Sequence, residues 1–600
     1  LGNVFLMIEQ RETRDRATDA RRNSGAARVE WNAGGRAPAL SLETRRVVPP
    51  LLPVLLPVVI AAIVTGLLFA WWFPPTPPGA VAPMVRFTDV TAEAGLLGWS
   101  PPESGETPTT LGGGVVCFDY DNDGHDDLLF VGGAPWPWEE GMAKRVSGRS
   151  VALFRNDGSG NFRETTAMAG LNIELQGMSA AAGDFDNDGL TDVFVTGVGA
   201  NHLFRNIGRG RFEDVTESAG VTAAENTWST GATWIDFDGD GKLDLVVAHY
   251  ARWSREVDLR MAFVVANVGH SYGAPAGFIG MFPSVYRNVG DGRFALVPNS
   301  AGLRDVDRQT GFPVAKTLAV VPVDPNDDGR LDLMFSYHRH EGTLFINRGD
   351  GTFQPWSGRS DRRQEGVAAG LVSAGLLPLQ SQGGDPRLAA WRSAMAADDA
   401  GETGAAALPA KHGAALLDYD LDGRLDVFSA NGRAEVDTNR FEEGREFARA
   451  PELIWNGGQR WLTATVAEDS VLRPVTARGT AVLDFDADGD ADVVIAQHGA
   501  GPRLLRNDQR ENFPWLQVKV VRTRGVREAP GARVEVHTPR RVHVQTVAPA
   551  MSYMAQSTTT LTFGLGDDAR VRKVVVQWPG GLRQEVRPEA VNRRIVVTEP

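Results

Sequence analysis

The sequence predicts an all-β protein: a ring of four-stranded sheets and then a small β domain, with one apolar span ahead of both. Three observations carry that prediction. An acidic phrase, D-x-[DN]-x-D-G-x-x-D, recurs six times between Asp119 and Asp492. A second phrase, L-x-R-N with glycines, Phe, Thr and A-G-L behind it, follows each copy in full or shortened form. Short β-branched runs flank the acidic phrases, as strands do when the turn of a hairpin lies between them. Self-similarity at such a period marks a repeat array, in which a unit buries its apolar face only against its neighbours.

In chain order, residues 1–46 hold nine Arg against six acids and read as a cytoplasmic tail. Residues 47–73 carry no charge, and about 20 apolar residues cross a bilayer as a helix. Pro49, Pro50, Pro53 and Pro57 crowd its start, where lost N–H groups cost least. Trp71 and Trp72 stand at its far end, where interfacial aromatics belong, and Arg45-Arg46 flank the near one. The positive-inside rule then leaves the bulk of the chain extracytoplasmic. A cleaved signal peptide is the alternative, with secretion as its result. Its apolar region is ordinarily shorter, and the best cleavage site, Ala80-Val81-Ala82, runs into Pro83. The span therefore reads as an uncleaved anchor, and 74–84 as a stiff Pro-rich linker.

The acidic phrases carry chemistry. They place Asp119, Asp121, Asp123 and Asp127 in the first copy, Asp184, Asp186, Asp188 and Asp192 in the second, and Asp236, Asp238, Asp240 and Asp244 in the third. The fourth has Asp324, Asn326, Asp328 and Asp332. The fifth has Asp418, Asp420, Asp422 and Asp426, and the sixth Asp484, Asp486, Asp488 and Asp492. Calcium takes hard oxygen ligands, and carboxylates at positions 1, 3 and 5 of a tight loop converge on one point. Gly at position 6 permits the sharp turn. Position 7 then offers its carbonyl and varies freely, while position 9 closes the cage. An EF-hand would need Glu at position 12, where these loops have Phe130, Val195, Val247, Phe335, Ser429 and Ile495. The net charge is −14, and residues 513–600 carry fourteen bases against seven acids, so the acid is concentrated in the repeats. Carboxylates so clustered repel one another unless cations lie among them. One calcium per loop, about six ions in all, is expected. Nucleic acid is excluded as a partner on charge, and the single Cys117 excludes a disulfide scaffold or a Cys-based metal site.

The repeat of about four strands is a β-propeller blade. A half-copy, VRFTDVTAEAGL at 85–96, precedes the first acidic phrase, and the last unit is cut short at LLRND. The first strand can therefore complete the last blade and remove the free edge. Six blades are recognisable over 85–512, and 354–410 leaves room for a seventh or for an irregular insertion. The basic tail, 513–600, is β-rich, and its charge predicts that it docks on the acidic ring.

These phrases resemble the FG-GAP/VCBS repeats of integrin α-subunit propellers and of bacterial surface proteins. The tail resembles the ASPIC/UnbV domain through WLQVKV (515–520), GARVEV (531–536), SYMAQS (552–557), FGLG (563–566) and VVVQWPGG (574–581). The order of the two resembles a bacterial form of the cartilage acidic protein family. Where that family shows glycines before its SY pair, Ala550 and Met551 stand here. The resemblance implies a calcium-loaded, integrin-like propeller whose ligand face lies opposite the calcium loops.

On that opposite rim the strand lengths place His249, Tyr250, Tyr337, His338, Asn431 and His498 as candidate ligand contacts. Long inserts with Trp136, Trp138, Trp253, Tyr272, Phe278 and Phe282 join the same side. The chain has no GxSxG, HExxH or P-loop phrase. It therefore reads as a membrane-anchored adhesion or interaction module for an extracytoplasmic protein or glycan. The alternative is a lyase-like carbohydrate-active enzyme using the rim histidines.

Overall fold

Each acidic phrase is the turn of a β-hairpin. In the first, Gly114–Phe118 and Asp127–Val131 pair antiparallel with Phe118 opposite Asp127, so the turn is the phrase itself. The other five repeat this register, from Gly183 opposite Asp192 to Leu483 opposite Asp492. The computed structural model describes residues 82–600 apart from 102–111, 134–148, 262–263, 266–268, 271–277, 307–310, 314–315, 327, 339, 357–412, 431–447, 459–460, 468–472, 510–512, 524–527 and 549–551. The expected tail, the membrane span 47–73, most of the linker and most of the stretch that could hold a seventh blade lie outside the described residues. Among those described, no helix is long and apolar enough to cross a membrane.

The six sheets begin with Gly114–Phe118, Gln176–Gly183, Thr227–Ile235, Thr317–Val323, Ala414–Leu417 and Ala477–Leu483. Each runs through four antiparallel strands, and the second and third are joined by one pair, Trp228 with Val198. Three strands of the sixth sheet come from the end of the array. Its fourth is Phe87–Asp89, with Phe87 opposite Asn507. The half-copy at 85–96 thus completes the sixth sheet as expected, and Phe87–Asp89 covers the edge that Arg503–Asn507 would otherwise present.

Burial falls from the first strand of a sheet to the last. Gln176–Gly183 and Thr227–Ile235 are buried along their whole length, whereas Phe162–Glu164 and Phe212–Asp214 bury only their Phe. A strand covered on both faces needs no alternation of polar and apolar residues. The first strands of the first and second sheets lie side by side, as do those of the second and third, third and fourth, fifth and sixth, and sixth and first. Five apolar cores fill the spaces between these same pairs of sheets. On its other side the fifth sheet offers a small cluster of Ala414 and Val427 with Leu416 and Ile454. The A-G-L turns add contacts between neighbours. Gly170 has φ 83°, and a Cβ on it would lie 2.8 Å from the carbonyl oxygen of Phe212 in the next sheet. Gly95 of the half-copy meets Phe162 of the first sheet in the same way, at 2.5 Å. Only glycine supplies both the left-handed conformation and the space.

The C-terminal domain packs two sheets face to face. One holds Leu561–Gly564, Trp515–Val521 and Arg593–Thr598; the other holds Val542–Thr546, Arg533–His537, Lys573–Gln577 and Arg583–Val586. Leu516, Val518, Val534, Val536, Phe563, Val576 and Trp578 form its core. Residues 77–600 make one compact unit. The SYMAQS segment leaves its own domain to enter the array: Ala555–Gln556 pairs parallel with Val115 and Val116. Gln556 accepts from the amide of Ala182 at 2.9 Å and donates to its carbonyl at 3.2 Å. Tyr553 and Met554, 1% and 2% exposed, pack with Met178, Trp228, Tyr250 and Ala319, which belong to the second, third and fourth sheets.

Candidate metal centres

One set of hydrogen bonds shapes all six loops. The position-6 glycine donates its N–H to the first Asp: Gly124 to Asp119 at 3.0 Å, Gly189 to Asp184 at 2.9 Å, Gly241 to Asp236 at 3.0 Å. Gly329, Gly423 and Gly489 do the same for Asp324, Asp418 and Asp484. The amide of position 7 donates to the Asp of position 5 throughout, as in Leu190 to Asp188 at 2.9 Å. These bonds turn the carboxylates inward. Ligand oxygens of Asp119, Asp121 and Asp127 come within 4.8 Å of one another, as do those of Asp184, Asp186 and Asp192, and of Asp236, Asp238 and Asp244. Asp418, Asp420 and Asp426, and Asp484, Asp486 and Asp488, do likewise. The fourth loop, with Asn326 at its third position, is not among these carboxylate groups.

Position 9 is the most buried ligand. Asp127, Asp192, Asp244, Asp332 and Asp492 are 0% exposed. One oxygen of each accepts from the Asn of the L-x-R-N phrase, for example Asn206 N–H to Asp192 at 2.7 Å. The other accepts from position 2, except in the fourth loop, where position 2 is Pro325 and has no N–H. There Oδ2 of Asp332 is left buried without a partner.

The loops fit a hard divalent cation on two grounds. Buried oxygens of Asp119, Asp121, Asp186, Asp418, Asp484 and Asp486 have no hydrogen-bond partner, and a buried acceptor left so is costly. Burial, and after it the neighbouring carboxylates, push Asp244 and Asp332 up to about 8 and Asp127 to about 9. For Asp184, pushed up to about 7, the first charge to act after burial is Glu528. A cation relieves both the repulsion and the unmet oxygens, and six to eight oxygen ligands suit calcium.

The sixth loop adds Asp490 at the position expected to vary freely. Burial and then the charges of Asp488, Asp484 and Asp486 push it up to about 9.

Reasoning from the sequence missed the supporting residues, although the L-x-R-N phrase was their signal. Its Arg binds the outer carboxylates: Arg155 pairs with Asp121 and Asp123, Arg205 with Asp186 at 2.6 Å, Arg287 with Asp238 at 2.6 Å. In the fifth unit Trp455 takes that place, and its indole N–H donates to Asp420 at 2.9 Å. Its Asn reaches across to the preceding sheet. Nδ2 of Asn206 donates to the Tyr120 carbonyl at 2.8 Å, Asn288 to Phe185 at 2.8 Å, Asn347 to Phe237 at 3.1 Å and Asn507 to Tyr419 at 3.0 Å. Asn156 donates to Phe485 at 2.9 Å and joins the first sheet to the sixth.

The C-terminal domain lies on the loops. Trp515 covers Gly489, Lys519 Nζ is 3.5 Å from Asp119, and Gln517 Nε2 donates to Asp484 at 2.6 Å. Gly564 N–H donates to Asp418 at 3.2 Å, and Arg594 to the Gly124 carbonyl at 3.0 Å.

The candidate rim residues are not displayed at a surface. His249, Tyr250, Tyr337, His338 and His498 are all buried, and Asn431 lies outside the described residues. Tyr250 Oη is 2.6 Å from His338 Nδ1, with the Trp228 ring tilted against it at a centroid distance of 4.5 Å. His249 sits between Ser229 at 3.2 Å and Ser284 at 2.8 Å, and burial pulls it down to about 4. Counting along the strand placed Tyr337 and His498 at or beside a strand end, but the strand after the third loop runs past His249 and Tyr250 to Arg252. It did not foresee that Tyr553, Met554, Trp253 and Phe278 pack around Tyr250.

Residues 522–600 match the family described as ASPIC and UnbV, and 119–195 and 184–247 match the FG-GAP-like repeat. The chain is 26% identical over 544 residues to Cartilage acidic protein 1 of Homo sapiens, covering 85% of this chain and 74% of that one. The Mus musculus protein of that name is 25% identical over 565 residues, with 88% and 79% covered. Among solved structures, an Agrocybe aegerita lectin that recognises non-reducing terminal N-acetylglucosamine aligns at TM-score 0.29 and 15% identity, covering 67% of this chain and 81% of its own. Rhamnogalacturonan lyase YesW aligns at TM-score 0.26 and 12% identity, covering 84% and 92%. Both likenesses are too slight to bear on this chain. The chain thus carries FG-GAP-like repeats within 119–247 and an ASPIC and UnbV match over 522–600, and it is similar over most of its length to cartilage acidic protein 1.

Proposed function

We propose that the six sheets are blades of a calcium-loaded β-propeller, held outside the cell by the apolar span 47–73 and serving as an interaction module for a protein or glycan. The observation that carries the calcium reading is the repeated inward convergence of carboxylates whose buried oxygens lack partners. Asp at positions 1, 3, 5 and 9 would hold each ion, with Asn326 as the neutral third ligand of the fourth loop. A divalent ion held there would offset part of the loop's negative charge and fix the turn. The Arg of L-x-R-N steadies the outer carboxylates, and its Asn locks the loop to the neighbouring sheet.

The interaction reading is supported by the rigid scaffold and by the length of the connections in its first, third and fifth units, since binding residues gather on long connections between rigid elements. The residues that a lyase would use, His249 and His338, are buried and bonded to Ser229, Ser284 and Tyr250. Calorimetry before and after exhaustive chelation tests the calcium reading. Each ion stabilises the folded form by about 2.7 kcal/mol at a hundredfold excess over its Kd. Loss of several should lower the melting temperature by roughly 10 °C. An unchanged melting curve in a verified metal-free sample would sink it. Glycan and envelope-protein arrays, probed with and without chelator, test the ligand.

A further inference from the structure

The fifth loop is enclosed where most of the others are open. At the position-6 glycine of four loops, Gly124, Gly189, Gly241 and Gly329, an added Cβ would meet nothing within 4 Å. On Gly489 it would strike Trp515, and on Gly423 it would strike the His543 ring and lie 2.9 Å from the Gly564 carbonyl oxygen. The sixth loop still leaves Asp488 exposed. In the fifth, Asp418, Asp420 and Asp426 are 4%, 2% and 1% exposed. The Asp422 side chain is 14% exposed, against 25%, 31%, 26% and 26% for its counterparts Asp123, Asp188, Asp240 and Asp328. What encloses this loop is the FGLG turn at 563–566. Gly564 N–H donates to Asp418 at 3.2 Å, Gly566 N–H donates to the Leu421 carbonyl at 3.0 Å, and His543 Nδ1 lies 3.3 Å from the Gly423 carbonyl oxygen. A Cβ on Gly564 would run into Asp418 Oδ2 and the Leu421 backbone, so only glycine lets the turn lie flush on the loop. Beneath it, Asp418 Oδ1 is buried without a hydrogen-bond partner.

We propose that the FGLG turn and His543 form a cover over the fifth centre, so that a cation enters and leaves it only when this part of the C-terminal domain lifts. This rests on the reading of the loops as calcium centres. A local opening that costs free energy slows passage in both directions. A site that is merely tight releases slowly but fills as fast as its neighbours. The coupling is reciprocal: an ion that fixes Asp418 also fixes the acceptor of Gly564, so a loaded fifth loop holds the turn down.

The test is stopped-flow calcium exchange on the full chain. A fluorescent chelator follows release, and calcium added to the metal-stripped chain follows uptake. One ion is expected to leave and to enter about tenfold more slowly than the rest, and its uptake rate should level off as calcium is raised. D420N in the fifth loop should abolish that slow phase, whereas D238N in the third should alter only the fast ones. H543A removes a bond to the Gly423 carbonyl and not to a carboxylate, and it should quicken both release and uptake of the slow ion. If H543A does not fold, G564A replaces it, since its Cβ pushes the turn off Asp418. Slow release with uptake as fast as at the other loops overturns the proposal alone, as does one common rate for every ion. A slow phase that D420N or the folded cover variant leaves untouched does the same. A wild-type chain that takes up no calcium overturns the reading of the loops as well.

Discussion

Pro325 shows how one side chain alters a centre without being a ligand. Lacking an N–H, it leaves Oδ2 of Asp332 buried and unbonded, and Asn326 beside it removes a charge. Both changes fall in the fourth loop, which should be the first to empty as calcium is withdrawn. Calorimetry of N326D should show the weakest site tightened several-fold, and an unchanged weakest site would contradict this. His249 is the clearest acid-sensitive residue away from the loops. Burial holds it near 4 when folded, against about 6.5 in an unfolded chain. Below pH 6.5 the unfolded chain takes a proton that the folded one refuses. Stability from this residue is therefore complete above about 6.5 and falls as the pH drops toward 4, by about 3 kcal/mol in total. H249Q should flatten that part of the stability–pH curve relative to wild type. Parallel curves for the two proteins from pH 7 to 5 would refute the assignment.

At the scale of the element, the acidic hairpin and the L-x-R-N strand form one device. Nδ2 of Asn206 donates to the carbonyls of Tyr120 and Thr191, one in the preceding sheet and one in its own loop. N206A leaves both carbonyls buried without a donor and should cost about 3 kcal/mol in urea unfolding. Among the described residues, Nδ2 of Asn456 donates only to Leu425 of its own loop. N456A should cost markedly less, and equal losses would show that the link between sheets contributes little. Position 4 of the loop is also left-handed: Asn122 and Asn187 have φ 60°, and so does Ala487. Alanine is strained there by its Cβ. A487G should raise stability by roughly 0.5–1 kcal/mol, read as a higher urea midpoint at unchanged slope.

At the scale of the whole molecule, the C-terminal domain is bound in two ways, over the loops and through the SYMAQS segment among the first strands. Tyr553 is buried beside Arg478, itself fully buried, pulled down to about 10 by that burial and donating to the Ala477 carbonyl at 2.8 Å. Y553A would open a large cavity there and should cost about 4 kcal/mol. A contact made of buried apolar groups and hydrogen bonds is little screened by salt. Small-angle scattering of the 77–600 unit should therefore give the same compact profile at low and high ionic strength. An extended profile, or one that expands as salt is added, would show a tethered domain.

Much of this architecture was legible because its causes are local. The period of the repeat, the hairpin around each D-x-D-x-D-G loop and the borrowed strand at 85–96 all follow from residues within about ten positions of one another or from a phrase missing its partner. In four loops the carboxylates at positions 1, 3 and 9 converge, and in the sixth those at 1, 3 and 5, with short-range amide bonds turning them inward. Tertiary structure decided what depends on distant partners. Glu528 meets Thr191 and Tyr553 meets Trp228 across hundreds of residues, Gln517 meets Asp484 across 33, and no spacing rule links them. His249, Tyr250 and His338 illustrate the same limit. Their place along the strand was readable, but their burial was decided by Tyr553, Met554 and Phe278, which arrive from elsewhere in the chain to cover them. Local geometry sets where a side chain starts, and the packing of remote segments sets whether water can still reach it.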